Sequence, residues 1–335
     1  MAARRVGIVY NAFVPSPADT GEQASEEAVQ PMAEGLRDAL QAHGVLASMI
    51  PLRRSVPGFL RRLREERSDI IVNLCEGYLG RPQWESNVAG VLELLQIPFT
   101  GSAAKALALC QDKFTTKAIL EYAGLPTAPA LLLRSADEPV DLEFPLIVKP
   151  NHEDASIGIH PDSVVHDAES LTRKVRRVLD DYSQPALVET YLDGREFSVA
   201  VIEDPVPRAL PVSEIEFTSM PADAPRICGY TAKWFENHPL YQQTPPRCPA
   251  EVGDDLRQRL QNIAVGAFQA LGCRDYARID LRTDIAGDVH ILEVNPNPDV
   301  SRDAGFARAL SAAGIAYPAF WLTTIDHAYR RGANR

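Results

Sequence analysis

Two short segments in the last third of the sequence concentrate residues able to bind a metal and neutralise phosphate charge. Ala277-Arg278-Ile279-Asp280-Leu281 and Ile291-Leu292-Glu293-Val294-Asn295 each alternate apolar with polar residues, on either side of a turn centred on Ala286-Gly287. Alternation puts Arg278 and Asp280 on one face of the first strand, and Glu293 and Asn295 on one face of the second. Counting outward from the turn pairs Asp280 with Glu293 and Arg278 with Asn295 in an antiparallel hairpin. Opposed carboxylates repel unless a cation lies between them. Two carboxylates and an amide oxygen are hard ligands of the kind magnesium takes alongside nucleotide phosphates. The hairpin is a candidate metal platform; the alternative is the solvated face of an ordinary sheet.

Two other segments carry matching chemistry. Leu146-Ile147-Val148 ends in Lys149, and the polar loop from Asn151 to Gly158 follows. A lysine at a strand end can hold phosphate oxygens while backbone N–H groups and the Ser156 hydroxyl cover them. Alone, this also fits an edge lysine beside a surface loop. Ala186-Leu187-Val188-Glu189, continued by Tyr191-Leu192-Asp193-Gly194-Arg195-Glu196, reads as a strand leaving the core at an acidic residue. Glu189 there can accept from an adenine amino group, and Glu196 from ribose hydroxyls.

The elements that position these residues fall into three expected domains: 1–125, 126–205 and 206–335. In the first, apolar runs at 6–10, 45–50 and 69–74 alternate with helical spacing at 28–42 and 59–67, which predicts a Rossmann-like parallel sheet. Further helices are expected near 88–95, 103–110 and 113–122, with strand and turn at 98–102. The smaller central α+β lobe holds the lysine strand, a helix near 167–181 and the acidic strand. The third, a mixed-sheet lobe, holds a helix near 253–271 and the carboxylate hairpin. Proline-bearing stretches at 204–211 and 221–250 read as loops over a cleft.

Composition narrows the function. With 34 basic and 45 acidic residues the formal charge is −11, which argues against general affinity for nucleic acid or an anionic membrane. No apolar stretch is long enough for a signal peptide core or a membrane span. The five cysteines lie far apart in sequence with no CxxC pair, so neither a zinc site nor a disulfide framework is indicated, and a reducing cytoplasm is the expected location. Cys75 beside Glu76 has the type of a nucleophile, but free cysteines are mostly buried apolar residues.

The order of these pieces, together with "NLCEG", "AGVLELLQIPFTGSAAKALALCQDKFTTK", "IVKPNHEDASIGI", "ALVETYLDGREF", "YTAKW", "ARIDLRTD" and "LEVNPNP", resembles the ATP-grasp superfamily and, within it, the D-alanine–D-alanine ligase family. The match runs over nearly the whole chain. The resemblance implies an α/β fold of the ATP-grasp type, with ATP between the last two lobes. It implies that Lys113 and Lys149 grip the nucleotide phosphates and that Ser156 lies in the closing loop. Glu189, Tyr191, Leu192 and Glu196 would contact adenine and ribose. Asp280, Glu293 and Asn295 would hold two magnesium ions, or manganese in their place. Arg278 would neutralise the acyl phosphate, and Lys233 would sit near the transferred phosphate. The partners implied are a small carboxylate and an amine, and a homodimer is the expected assembly.

Departures from the family pattern fall where substrates are chosen. Trp234 replaces a tyrosine and is expected to stand outside the hydroxyl network that supports the loop. Asp154-Ala155 stands where small hydroxyl residues are usual. The "NTxPG" segment reads Pro296-Asn297-Pro298-Asp299, and a serine-leucine pair lacks a counterpart between Val300 and Gly305, leaving Arg302 as a candidate carboxylate holder. Glu27, or Glu26, is the candidate for the first substrate's ammonium. The expected activity is therefore ligation of an amino acid or peptide-like pair other than D-alanine. D-alanyl-D-alanine synthesis, an ATP-grasp kinase and a non-catalytic ATP-binding module remain the alternatives.

Overall fold

The computed structural model describes residues 4–14, 22–221 and 223–333. Its strands form three sheets. The first contains β1 (Arg5–Asn11), β2 (Leu46–Leu52) and β3 (Ile70–Asn73) in the order β2-β1-β3, all parallel, with α1 (Ala24–Gln41) and α2 (Val56–Glu66) as the connections. β1 and β3 are nearly continuous apolar runs because both faces of this sheet are covered. The expected strand at 98–102 is reduced to one parallel bridge between Ile71 and Phe99. There Ile71 N–H donates to the Pro98 carbonyl and Thr100 N–H to the Ile71 carbonyl, each at 2.9 Å.

Three helices follow: α3 (Glu85–Leu94), α4 (Ala104–Gln111) and α5 (Lys113–Tyr122). Asp112 separates the last two by adopting an extended conformation, and its carboxylate caps α5 by accepting from Thr115 N–H at 3.0 Å. The same carboxylate accepts from Asn151 Nδ2 at 2.9 Å. This cap fixes Lys113, the first residue of α5, against the loop that follows the lysine strand.

The second sheet comprises β4 (Ala130–Leu133), β5 (Leu146–Pro150), β6 (Val164–Val165) and β7 (Ala186–Thr190), antiparallel in the order β4-β7-β5-β6. α6 (Ala168–Tyr182) covers one face, packing Leu171, Val175 and Val178 against Leu146, Val148 and Val188. The third sheet contains β8 (Glu196–Glu203), β9 (Pro207–Ala209), β10 (Ser213–Ile215), β11 (Pro246–Arg247), β12 (Tyr276–Thr283) and β13 (Val289–Asn295). Between its strands lie α7 (Tyr230–Trp234), α8 (Pro239–Gln242) and α9 (Asp254–Ala270), the last of which buries Leu260, Ala264 and Phe268 against Val199, Ile279 and Ile291. The stretch at 204–211 does not cover a cleft as expected, because β9 pairs with β8 as the arm of an edge hairpin. The 221–250 stretch does reach the cleft, through Lys233, Trp234, Tyr241 and Pro245.

Two helices with no sequence-level expectation complete the fold: α10 (Gly305–Ala312) and α11 (Tyr317–Ala333). Phe306, Leu310, Phe320, Trp321 and Ile325 share one core with Val6, Ile8, Leu36 and Val72 of the first sheet and its helix, and with Tyr276 of β12. A bidentate pair locks this junction. Arg331 donates to both oxygens of Asp275, at 2.7 and 2.8 Å, and Gly101 N–H donates to the same carboxylate at 2.8 Å. Among the described residues no helix is long and apolar enough to cross a membrane.

Candidate active site

One cleft of about 1060 Å³ is lined by residues from all three sheets, including Lys113, Lys149, Ser156, Glu196, Lys233, Arg278, Asp280 and Glu293. The carboxylate hairpin forms part of its wall. Arg278 pairs with Asn295 and Asp280 with Glu293, the register expected from alternation. The register then shifts, so that Leu281 faces Ile291 and Leu292 is left without a partner. That bulge turns Leu292 and Glu293 into the cleft together.

The hairpin's charges are interlocked. Arg278 donates to both oxygens of Asp280 at 2.7 Å. Asn295 Nδ2 lies between the carboxylates, 3.1 Å from Asp280 Oδ2 and 3.2 Å from Glu293 Oε1. Lys113 Nζ is 3.4 Å from Glu293 Oε2. Burial alone would raise the Glu293 carboxyl, but Lys113, Lys149, Arg278 and Lys233 outweigh it and hold that group at about 2. An amide N–H between the Asp280 and Glu293 side chains marks a place that accepts positive charge. Among the described residues no three carboxylate, histidine or cysteine side chains converge on one point. Two carboxylates and an amide suit a hard cation whose remaining ligands are phosphate oxygens and water.

Lys149 and Lys113 occupy two separate networks. Lys149 Nζ contacts Glu189 Oε1, and Lys117 Nζ lies 2.7 Å from Glu189 Oε2. Lys117 also donates to Thr127 Oγ1 at 2.7 Å and to the Ala128 carbonyl at 3.0 Å. The Glu189 side chain is only 1% exposed, and the two ammonium groups overcome burial to hold its carboxyl at about 2. This corrects one expectation: the Glu189 carboxylate serves the lysines and is not offered to an adenine amino group. Thr190, Tyr191 and Leu192 line the cleft beside it. Lys113 donates to the Glu153 carbonyl and, at 3.1 Å, to Asp154 Oδ1, while Gln111 Nε2 holds Asp154 Oδ2 at 3.1 Å. Asp154 thus places a carboxylate on Lys113.

The loop is tied down from three sides. Ala155 and Ser156 adopt left-handed conformations at φ 55° and 63°. Ser156 Oγ donates to the Cys228 carbonyl at 2.9 Å, and Trp234 Nε1 donates to the Ala155 carbonyl at 3.0 Å. Trp234 therefore joins the loop's support, against expectation, because an indole N–H can do what a phenolic hydroxyl does. Glu22, not foreseen, accepts from Gly158 N–H at 3.2 Å and from Tyr182 Oη at 2.7 Å, with His160 Nε2 at 3.1 Å. Glu27 is exposed on α1 and lies outside the cleft wall, whereas Glu22 and Glu26 line it. Lys233 reaches the cleft with its Nζ 5.7 Å from the Trp234 ring centroid.

Glu196 pairs with Arg282 at 2.9 Å, and burial raises its carboxyl. The Arg282 guanidinium lies 5.3 Å from the Tyr191 ring and 5.4 Å from the Phe217 ring. Arg282 was readable as the third polar residue of an alternating strand face, Arg278-Asp280-Arg282, and Lys117 as the residue one helical turn after Lys113.

A further set of acidic groups in the cleft wall surrounds Glu76. Glu76, whose N–H donates to Asn11 Oδ1 at 2.9 Å, has its carboxyl pushed up to about 8 by burial and by Asp299. Asn297 Nδ2 joins Glu85 Oε1 at 3.0 Å to the Cys75 carbonyl at 2.9 Å. Asp299 Oδ1 accepts from Ser301 N–H at 2.9 Å and from Ser301 Oγ at 2.6 Å. Arg302 is exposed, stacked 5.7 Å from the Tyr317 ring and outside the cleft wall, so it does not hold a ligand there. Cys75 is fully buried with its thiol raised well above the usual range, the behaviour of a core residue.

Comparison with known proteins agrees with this geometry. The family model described as "D-ala D-ala ligase C-terminus" matches residues 119–325. An uncharacterised protein of Sinorhizobium fredii is 35% identical over 265 residues, 79% of this chain and 76% of that protein. A D-alanine–D-alanine ligase of Pelotomaculum thermopropionicum is 32% identical over 313 residues, covering 89% of this chain and 91% of the relative. The crystal structure of D-alanine–D-alanine ligase from Bacillus anthracis complexed with ATP superposes over 99% of both chains, with a TM-score of 0.76 at 22% identity, and so shares the fold. The chain belongs to the D-alanine–D-alanine ligase family, a family of ATP-grasp, ADP-forming ligases.

Proposed function

We propose that this protein joins a carboxylate to an amine at the expense of ATP, through an acyl phosphate, on an amino acid or peptide-like pair. The observation that carries the reading is the interlocked hairpin, in which Arg278, Asp280, Glu293 and Asn295 share one wall with Lys113. A substrate carboxylate oxygen attacks the γ-phosphorus and ADP leaves; the amine then attacks the acyl carbon and phosphate leaves. Both steps depend on positioning and charge neutralisation more than on proton transfer.

Lys113 and Lys149 would grip the phosphates under the Ser156 loop, and Glu196 with the 190–192 backbone would seat the nucleoside. Lys233 would meet the transferred phosphate, and Arg278 the acyl phosphate and the tetrahedral species that follows it. Asp280, Glu293 and Asn295 would hold divalent ions, magnesium in preference, which supply Lewis acidity toward phosphate oxygens. The loop lying over Lys113 would exclude water.

The departures from the family pattern at residues 296–305 are what favour a pair other than two D-alanines. Assembly as a homodimer belongs to the same proposal. A second reading, D-alanine–D-alanine ligation itself, is favoured by the names of the 30–32% identical relatives. ADP and phosphate release, measured with D-alanine alone and with a broad amino-acid panel, separates the two. Phosphate retained on a stable product would mark a kinase, and ATP bound without turnover a binding module. Glu293→Gln should abolish turnover while circular dichroism still shows a folded protein; wild-type activity in that variant would remove the hairpin from the mechanism.

A further inference from the structure

The loop lying over Lys113 is fastened at its end by a side chain from the beginning of the sequence. Glu22 stands two residues before α1, the helix packed on the first sheet. Its side chain is only 6% exposed. Oε2 accepts from Tyr182 Oη at 2.7 Å and from Gly158 N–H at 3.2 Å, and Oε1 lies 3.1 Å from His160 Nε2. Burial works against ionisation of this carboxyl, but His160, Tyr182 and the Gly158 N–H outweigh it and hold the group below the usual carboxylate range. Two residues on, Ala24 N–H donates to Tyr230 Oη at 3.0 Å, and Tyr230 N–H donates to the Ile159 carbonyl at 2.9 Å.

These contacts fix one position of the loop. Gly158 has φ 76°, and a Cβ there would stand 2.5 Å from Pro150 Cγ and 3.2 Å from Tyr182 Cζ. The loop backbone therefore packs directly on the residue after Lys149, where only glycine fits. Gln111 and Lys113 hold the start of the loop through the His152 and Glu153 carbonyls, and Trp234 with the Cys228 carbonyl holds its middle. Glu22 holds its end. Ser25 and Glu26, directly after it, line the cleft, so one short segment both builds the cleft wall and clamps the loop.

The position of such a loop decides between transfer and waste. When it is closed, a substrate carboxylate meets the γ-phosphorus in a site without water. When it is open, a water oxygen attacks that phosphorus instead, ADP leaves, and a water proton passes to solvent. We propose that Glu22 is a positioning residue for phosphate transfer, clasping the 152–160 loop over the bound nucleotide so that ATP is not hydrolysed in place of ligation. This rests on the ligase reading and assigns control of its side reaction to a residue that touches neither substrate nor nucleotide.

The experiment has two arms. In the first, full-length protein is given ATP, magnesium, hydroxylamine and each acid of an amino-acid panel. The hydroxylamine nitrogen attacks the acyl carbon and phosphate leaves, so hydroxamate counts acid activation, while ADP released with no acid present counts hydrolysis. Glu22→Ala should raise that hydrolysis about fivefold as water enters. It should raise KM for ATP about tenfold, the worth of one hydrogen bond to a charged group, with the hydroxamate kcat at saturating ATP within about twofold of wild type. Glu22→Gln, which keeps one acceptor, should fall between. Tyr182→Phe should move both values the same way by less, and should add little to Glu22→Ala, since the two share one contact.

The second arm needs no turnover. A non-hydrolysable ATP analogue should slow proteolysis between residues 152 and 160 in wild type and not in Glu22→Ala. Hydroxamate missing with every acid would overturn the ligase reading, and the second arm would still decide whether Glu22 holds the loop. Wild-type hydrolysis and KM in Glu22→Ala, whatever its melting temperature, reduce Glu22 to a fold contact and overturn the proposal. Full protection of that variant by the analogue, or losses that add fully with Tyr182→Phe, overturn it as well.

Discussion

Glu189→Gln tests the most tightly determined part of the site. Glu189 is almost fully enclosed and lies between the ammonium groups of Lys117 and Lys149. Holding its carboxyl at about 2 against an ordinary 4.5 corresponds to roughly 3 kcal/mol in favour of the ionised form, at about 1.4 kcal/mol per tenfold change in proton affinity. The amide leaves two buried ammonium groups facing each other without an anion, a class of change that costs roughly 3–5 kcal/mol. In a protein of this size that lowers the melting temperature by on the order of 10 °C.

The pH dependence has a definite sign. Because the folded carboxyl titrates below its unfolded value, its contribution is present above about pH 4.5 and is lost as pH falls toward 2. Melting curves by circular dichroism at pH 7 and pH 3 should therefore show a large gap between wild type and Glu189→Gln that narrows on acidification. Adding Lys117→Met to the variant should recover part of the loss, and the double-mutant cycle gives the coupling directly. A variant that melts within 2 °C of wild type at pH 7, or a gap that does not shrink at pH 3, refutes the picture of one carboxylate clasping two lysines.

Three further outcomes follow from named contacts. Trp234→Phe removes the N–H that supports the Ala155 carbonyl, a loss of about 1 kcal/mol. It should raise KM for ATP about fivefold and speed proteolysis between residues 152 and 159, and unchanged values for both would exclude the indole from the loop's support. Glu76→Gln should match wild type in melting temperature at pH 5 and exceed it at pH 9, because the Glu76 carboxyl titrates near 8 in the folded protein and ionising it costs stability there; equal curves at both pH values contradict this. Asp275→Asn breaks the bidentate pair with Arg331 and should cost roughly 1.5–3 kcal/mol in urea unfolding, a loss absent if the α11 junction is held by apolar packing alone.

Local pattern carried the hairpin far and then stopped. Strict alternation placed Asp280 opposite Glu293, yet it could not show the bulge at Leu292, because Ile291-Leu292 reads as one apolar pair whichever side each residue takes. Lys149 and Lys113 were legible as strand-end and helix-start residues. Their partners were not, since Glu189 and Asp154 reach Lys149 and Lys113 across separate elements. Glu27 failed against Glu22 and Glu26 because the entry angle of α1 decides which acid faces inward. Arg302 and Arg308 differ by six residues, and only the turn leading into α10 tells which of them enters the cleft. α11 escaped notice because its apolar residues pack on a sheet nearly the whole chain away.

That last packing has a consequence for the order in which the protein forms. The first sheet presents Val6, Ile8 and Val72 to a core shared with Phe306, Phe320 and Trp321. On the ribosome, at roughly 5–20 residues per second, this face is covered only by α1 for tens of seconds, until α10 and α11 emerge. The first sheet with α1 is then an incomplete body whose apolar side is only partly covered, a natural client for a chaperone. A nonsense mutation anywhere before α10 should yield aggregate and not a free-standing nucleotide-binding fragment.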